Sequence, residues 1–276
     1  MPIITVSRQI GSRGSEISRE LAKKLNFNFL DKESLEEALA EHGIPELKVE
    51  KYDEKKPSFW EIFSSDRDRY LHYLQTVMVG FARKGSCVLL GRGGQVLLAG
   101  LPGVLRLRFI SPPDLRVQRI KAFYGWDERH ALQMIRHSDN DRAGFHKFFF
   151  NVDWEAATLY DLVLNTAGFS VEAACDLLEG FLRSAFMKSK VKQTAPRLED
   201  LDLKLKVEGR ILFEEKIPVK FLEIEVKNGE ATLNGTVNVR SMIERCGQAA
   251  EAVEGVKKVV NQIYFLNEVY GYVAHT

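Results

Sequence analysis

The stretch from Ile3 to Ile17 constrains the fold most. Ile3-Ile4-Thr5-Val6-Ser7 is an apolar, β-branched run, Arg8–Gly14 carries glycines at 11 and 14, and a helical pattern runs from Ser15 through Leu25. A buried strand that passes through a Gly/Ser turn into a helix N-terminus aims unpaired N–H groups and the positive end of the helix dipole at one point. Glycine lets the backbone approach an anion there without side-chain interference. The arrangement is close to the phosphate-cradling pattern G-x-x-x-x-G-K-[ST] but departs from it twice. Arg8 stands at the first glycine, and Gly14 stands where lysine would precede Ser15.

Three further segments resemble strands of a parallel sheet, apolar on both faces: Cys87–Leu90, Val104–Ile110 and Tyr160–Leu164. Helical stretches alternate with them at Ser15–Leu25, Asp66–Lys84, Pro113–Phe123 and Val171–Arg183, the last with Ser170 as N-cap. Alternating strands and helices imply an α/β fold, a doubly wound parallel sheet flanked by helices. The pattern changes at residues 188–196, a polar, basic, Pro-terminated stretch that suits a linker between a first domain, 1–187, and a second, 197–270. In the second, Val219–Val226 and Ala231–Val237 flank Asn228-Gly229, a strong hairpin signal. A helix over Ser241–Val253 and a strand over Val256–Phe265 make it a small α+β unit.

A net charge of +1 with 28% charged residues excludes general polyanion binding, so no nucleic-acid partner is expected. From Arg197 on, the chain is mildly acidic, which disfavours an anionic membrane surface. Cys87, Cys175 and Cys246 lie far apart without a C-x-x-C pair and read as buried thiols of a reducing compartment. With no apolar run near the ~20 residues that span a bilayer and no signal-peptide pattern, the expected location is cytoplasmic. The six histidines lack metal-ligand spacing.

Ile4–Gly14 resembles the opening of the cytidylate kinase-like family, distant relatives of bacterial CMP kinases. Phe29-Leu30-Asp31-Lys32-Glu33, Asp53-Glu54-Lys55-Lys56-Pro57, Val88–Gly94, Asp139-Asn140-Asp141-Arg142 with Phe145–Phe148, and Tyr160–Thr166 follow in the order that family uses. The resemblance covers roughly residues 1–185 and is specific as an ordered set. It implies a P-loop fold of the nucleoside monophosphate kinase type, ATP and Mg²⁺ as cofactors, and a nucleoside monophosphate, CMP or dCMP first, as acceptor. Ile224–Val237 and Gly255–Ile263 resemble the hairpin and closing strand of a BON domain, which implies a module that binds lipid or other proteins; the mildly acidic charge of this stretch favours a protein partner or self-association over lipid.

Phosphoryl transfer needs positioning and positive charge more than covalent help. Gly11, Ser12, Arg13, Gly14, Ser15 and Glu16 are the candidate triphosphate cradle, with the Ser15 hydroxyl on Mg²⁺. Arg8 or Arg13 would replace the missing lysine, since guanidinium grips phosphate with two parallel bonds. Arg92, after a buried strand and between glycines, is a candidate clamp on the acceptor phosphate, or else a salt-bridged surface group. Asp31 reads equally as an acceptor ligand and as the N-cap of a helix over Lys32–Ala40. Arg116, Arg119, Arg136 and Arg142 lie in the helix and lid that would close over the phosphates, Arg142 paired with Asp139 being favoured. His146–Phe150 and Trp154 read as core packing before base stacking. A nucleotide sensor without catalysis, its output through the tail, is the alternative function.

Overall fold

Strand β1 (Ile3–Arg8) is buried over its first five residues because it has a parallel neighbour on each side. It pairs with β3 (Cys87–Leu90) and β4 (Val104–Ile110). With β2 (Asn28–Leu30) and β5 (Leu162–Asn165) these form a parallel sheet ordered β2-β3-β1-β4-β5. The computed structural model describes residues 1–41 and 64–266, so Asp53–Pro57 lies outside the described residues. Contact density divides the chain into two units, Met1–Ala195 and Pro196–Thr276.

In the first unit one sheet face carries Ile4, Val6, Leu107 and Phe109. They pack on Ile17 and Leu21 of α1 (Gly14–Leu25) and on Ala174 and Leu178 of α7 (Val171–Leu182). Each large side chain buried in this way contributes about 1.5–3 kcal/mol. Between β2 and β4 lie α2 (Lys32–Glu41), α3 (Ser64–Arg83) and the single turn α4 (Gly94–Leu97). Pro113 opens α5 (Pro113–Tyr124), and Gly125, with φ +70°, closes it.

The motifs Asp139–Arg142 and Phe145–Phe148 lie in one 23-residue helix, α6 (Glu128–Phe150), which Asp127 caps by accepting from the His130 N–H. Its first turns pack on α5 through Val117, Ile120, Ala131 and Ile135. Phe145, His146, Phe149 and Trp154 are buried, as core packing requires. Trp154 Nε1 donates to Ser7 Oγ at 2.7 Å, tying this cluster to the end of β1.

Residues 188–196 are not an extended linker. They begin inside α8 (Ala185–Val191), and α9 (Thr194–Gly209) starts two residues after it ends. Ser184 caps α8, Met187 is buried, and the Thr194 hydroxyl donates to the Pro102 carbonyl at 2.7 Å. A polar, lysine-rich composition suits the wet face of a helix as well as it suits a linker, and only these contacts separate the two.

In the second unit β6 (Lys220–Lys227) and β7 (Glu230–Val237) form the expected antiparallel hairpin, with positive φ at Asn228 and Gly229. Helix α10 (Ser241–Glu251) packs Cys246, Ala249 and Ala250 against Ile224, Leu233 and Val237. The expected last strand is two short ones, β8 (Lys258–Asn261) and β9 (Tyr264–Phe265), both parallel to β7. Asn261 causes the break: its Oδ1 accepts from the Ile263 N–H and its Nδ2 donates to the Ile243 carbonyl. All three cysteines are buried and none is in a disulfide. No described helix is long and apolar enough to cross a membrane.

Candidate active site

The turn after β1 is fastened from below and left open above. Ser12 Oγ donates to the Gln9 carbonyl at 2.7 Å and accepts from the Gly14 N–H at 3.3 Å. Thr166 Oγ1 donates to the Ser12 carbonyl at 2.7 Å, and Gln9 Oε1 accepts from the Ser111 N–H. Gly11 has φ +74°, and a Cβ there would lie 3.0 Å from the Arg116 carbonyl oxygen, so the turn needs glycine. Arg13 precedes α1 at φ +61°, and its side chain makes no cap bond to the first turn of the helix.

Gly14 occupies the position of the absent lysine, and the packing explains the absence. A Cβ on Gly14 would lie 2.6 Å from Arg8 Cβ and 2.9 Å from Phe109 Cβ. Arg8 fills the space, and its Nε donates to Ser15 Oγ at 3.3 Å. The two departures from the common loop pattern are therefore coupled by packing: with Arg8 at the strand end, a side chain at position 14 has no room.

Above this turn lies a cleft of about 640 Å³ lined in part by Arg8, Arg13, Ser15, Arg119 and Arg142. Arg119 reaches over from α5, donating to the Gly11 carbonyl at 3.1 Å and to Thr166. Burial first, then the charge of Arg13, pull its pKa below the ordinary guanidinium value, while Glu16 acts the other way. Glu16, which also lines the cleft, stands 3.9 Å from Arg13. Arg142 is held by the Ser138 side chain one turn back on α6.

Other sequence candidates fall elsewhere. Arg116 is buried and makes a two-pronged pair with Asp139, both bonds 2.8 Å, while its Nε donates to the Ile10 carbonyl at 2.7 Å. Asp139 thus fixes Arg116 and, through it, the turn. Asp31 takes the N-cap geometry, its Oδ1 accepting from the Ser34 N–H at 3.2 Å. Desolvation alone would raise its pKa, but the bonds from Ser34 and Arg19 hold it below the usual carboxylate value. Arg92 has φ +55° between two glycines that also have positive φ. It is 2% exposed and donates to Glu36 Oε1 of α2 at 2.8 Å. Arg136 is exposed and lines a separate groove along α6 with His130 and His137.

Two cleft residues that the sequence reading left aside are Phe123 and Tyr124, exposed rings at the end of α5. Adjacent aromatics on an exposed helix end were the available signal. Among the described residues, no group of three or more His, Cys, Asp or Glu is placed to hold a metal ion. The Ser15 hydroxyl lines the cleft, and a single hydroxyl would suit Mg²⁺, which keeps waters and phosphate oxygens as its other ligands.

Comparison with known proteins agrees with this fold. The chain is 25% identical to a cytidylate kinase of Pyrobaculum islandicum over 63% of its own length and 89% of that protein's. It is also 25% identical to one of Methanocaldococcus jannaschii, over 64% and 94% respectively. A crystal structure of an uncharacterized protein from Eubacterium ventriosum superposes with a TM-score of 0.52 at 23% identity, covering 67% of this chain and 99% of the other, which shows the fold. Residues 199–267 match the BON domain. Residues 3–168 match the Cytidylate kinase-like family, and to that family the chain belongs.

Proposed function

We propose that the protein transfers the γ-phosphoryl group of ATP to a nucleoside monophosphate, with CMP or dCMP as acceptor. The fold and the distant cytidylate kinase relatives support nucleotide kinase activity in general. The observation that carries the finer reading is the convergence of Arg8, Arg13, Arg119 and Arg142 on one cleft over the Ser12–Ser15 turn. Four guanidinium groups and a helix N-terminus offset the charge of a triphosphate and of the transferring group, which is where such catalysis acts. Ser15 would hold Mg²⁺, which supplies Lewis-acid polarisation of the phosphate oxygens when bound. Arg8 orients that hydroxyl, Arg119 and Arg13 brace the triphosphate, and Arg142 adds charge as α6 closes on the turn. Arg92, behind the end of β3, grips the acceptor phosphate after exchanging Glu36 for it. The phosphate of the acceptor is itself the nucleophile, so no general base is required.

One observation favours a second reading, a sensor that binds nucleotide without turnover: Arg92 is sequestered against Glu36 and the lysine position is filled. A coupled ADP-release assay over all nucleoside monophosphates separates the two. Release of ADP with a cytidine monophosphate supports the kinase. Saturable ATP binding with no release for any acceptor replaces it with the sensor. In either case the BON domain would serve as the module for a protein partner or for self-association.

A further inference from the structure

The end of α5 and the residues just after it carry a ladder of aromatic rings to which the phosphoryl-transfer reading gives no part. Phe123 is 80% exposed, Tyr124 45% and Trp126 40%. The Phe123 and Tyr124 rings meet edge to face at 4.8 Å, and Tyr124 stacks on Trp126 at 4.6 Å with 21° between planes. Single exposed apolar residues are ordinary, but three adjoining rings left in water mark a binding surface. Their position says what binds. Phe123 and Tyr124 line the same cleft as Gly11, Ser15 and Arg119. Arg119 and Phe123 are four residues apart on α5, so one turn along a single helix face separates the guanidinium on the Gly11 carbonyl from an exposed ring. A cationic loop continuous with flat apolar rings matches a ligand that joins a phosphate chain to a planar heterocycle.

We propose that Phe123 and Tyr124, with Trp126 stacked behind, are the platform for the base of the phosphoryl donor. The inference rests on the nucleotide reading of the cleft and adds to it how the base is read: by its π-face rather than by a set of hydrogen bonds. Stacking of this kind is tolerant of base identity.

The test uses the full chain and calorimetric titration with two probes, Mg²⁺-ATP and Mg²⁺-tripolyphosphate. Phe123→Ala is expected to weaken ATP about tenfold and Tyr124→Ala to weaken it several-fold. Both should leave tripolyphosphate binding unchanged, and Phe123→Trp should retain ATP affinity. Unchanged tripolyphosphate binding also reports that each variant is folded. Equal losses for both probes, or unchanged ATP affinity in both alanine variants, overturn the platform. So does a shift from dimer to monomer in sedimentation without any change in ATP affinity, since the rings would then bury against a second copy. Wild-type protein that binds tripolyphosphate as tightly as ATP keeps the cradle and removes the platform, whereas wild type that binds neither removes the nucleotide reading itself.

Discussion

Arg8 Cβ stands 2.6 Å from where a Cβ on Gly14 would have to be, so the two positions cannot both carry side chains without movement. Gly14→Lys alone should therefore not create a conventional loop. It is expected to cost about 1–3 kcal/mol of stability through overpacking and to lower the melting temperature. Arg8→Gly combined with Gly14→Lys should recover part of that loss, because the nearest clash is gone. Thermal melts of the two singles and the double measure the coupling. Strict additivity would show that Arg8 is not what excludes the lysine.

The pair of Arg116 and Asp139 predicts a different kind of loss. Arg116 is 4% exposed at its side chain, and its three bonds hold both the carboxylate and the Ile10 carbonyl. Arg116→Ala should cost about 3 kcal/mol, since it strands a partly buried carboxylate and a loop carbonyl. Arg116→Lys should rescue little, because a lysine cannot make the paired bonds. Chemical denaturation measures both. Full rescue by lysine would mean that charge, not geometry, matters there.

In the proposed reaction Arg92, paired with Glu36 in the structure, serves the acceptor and not the donor. Arg92→Lys is expected to raise the KM for the monophosphate about tenfold or more, with ATP affinity nearly unchanged. Glu36→Gln, which loosens the competing partner, should lower the acceptor KM. Initial rates with each substrate varied in turn give the answer. An effect of Arg92→Lys confined to ATP would place Arg92 with the donor instead.

Asp161 fastens the start of β5 to β4, and its contribution depends on pH. Desolvation acts to raise its pKa, but the Arg106 side-chain bonds, at 2.7 and 3.1 Å, and the Arg106 N–H outweigh it and hold the carboxyl below its ordinary value. A depressed acid stabilises the fold above its unfolded pKa, and that contribution is lost as pH falls through the lower folded value. Asp161→Asn should thus cost about 1 kcal/mol at neutral pH, allowing for solvent screening. The gap from wild type should close as pH falls below about 4. A melting difference constant from pH 7 to pH 3 would exclude the ion pair as its source.

A chain ending at Ala195 keeps α8 and the Thr194–Pro102 bond, and it is expected to melt cooperatively and bind ATP as the full chain does. Ending the chain at Met187 instead removes most of α8 and should lower the melting temperature. Equal stability of the two truncations would mean that α8 and Thr194 contribute nothing to the first unit.

Much of this architecture is legible along the chain. The parallel strands are continuous apolar runs because both of their faces are covered, so Ile3–Ser7, Cys87–Leu90 and Val104–Ile110 declare themselves. The Asn228-Gly229 turn does so because its two positive φ values exclude most other residues. The Gly/Ser turn after β1 is local too, since strand, glycines and helix are consecutive. Helices α8 and α9 were not legible. Lys188–Lys192 is polar around the helix, and Leu201, Leu203, Leu205 and Val207 alternate as a strand would while lying in a helix.

The sequence by itself determined that a strand, a Gly/Ser turn and a helix follow one another at residues 3–25, that the sheet is parallel, and that a small second unit follows. Each depends on neighbours in the chain and on the period of burial. The tertiary structure alone decided which arginines matter. Arg116, Arg119, Arg136 and Arg142 look alike in sequence, yet one, held by Asp139, braces the turn at Ile10, one crosses to Gly11, one faces a different groove, and one lines the cleft with Arg8. Long cationic side chains carry little positional preference of their own, so their roles are set by which carbonyl or carboxylate the fold brings within about 3 Å.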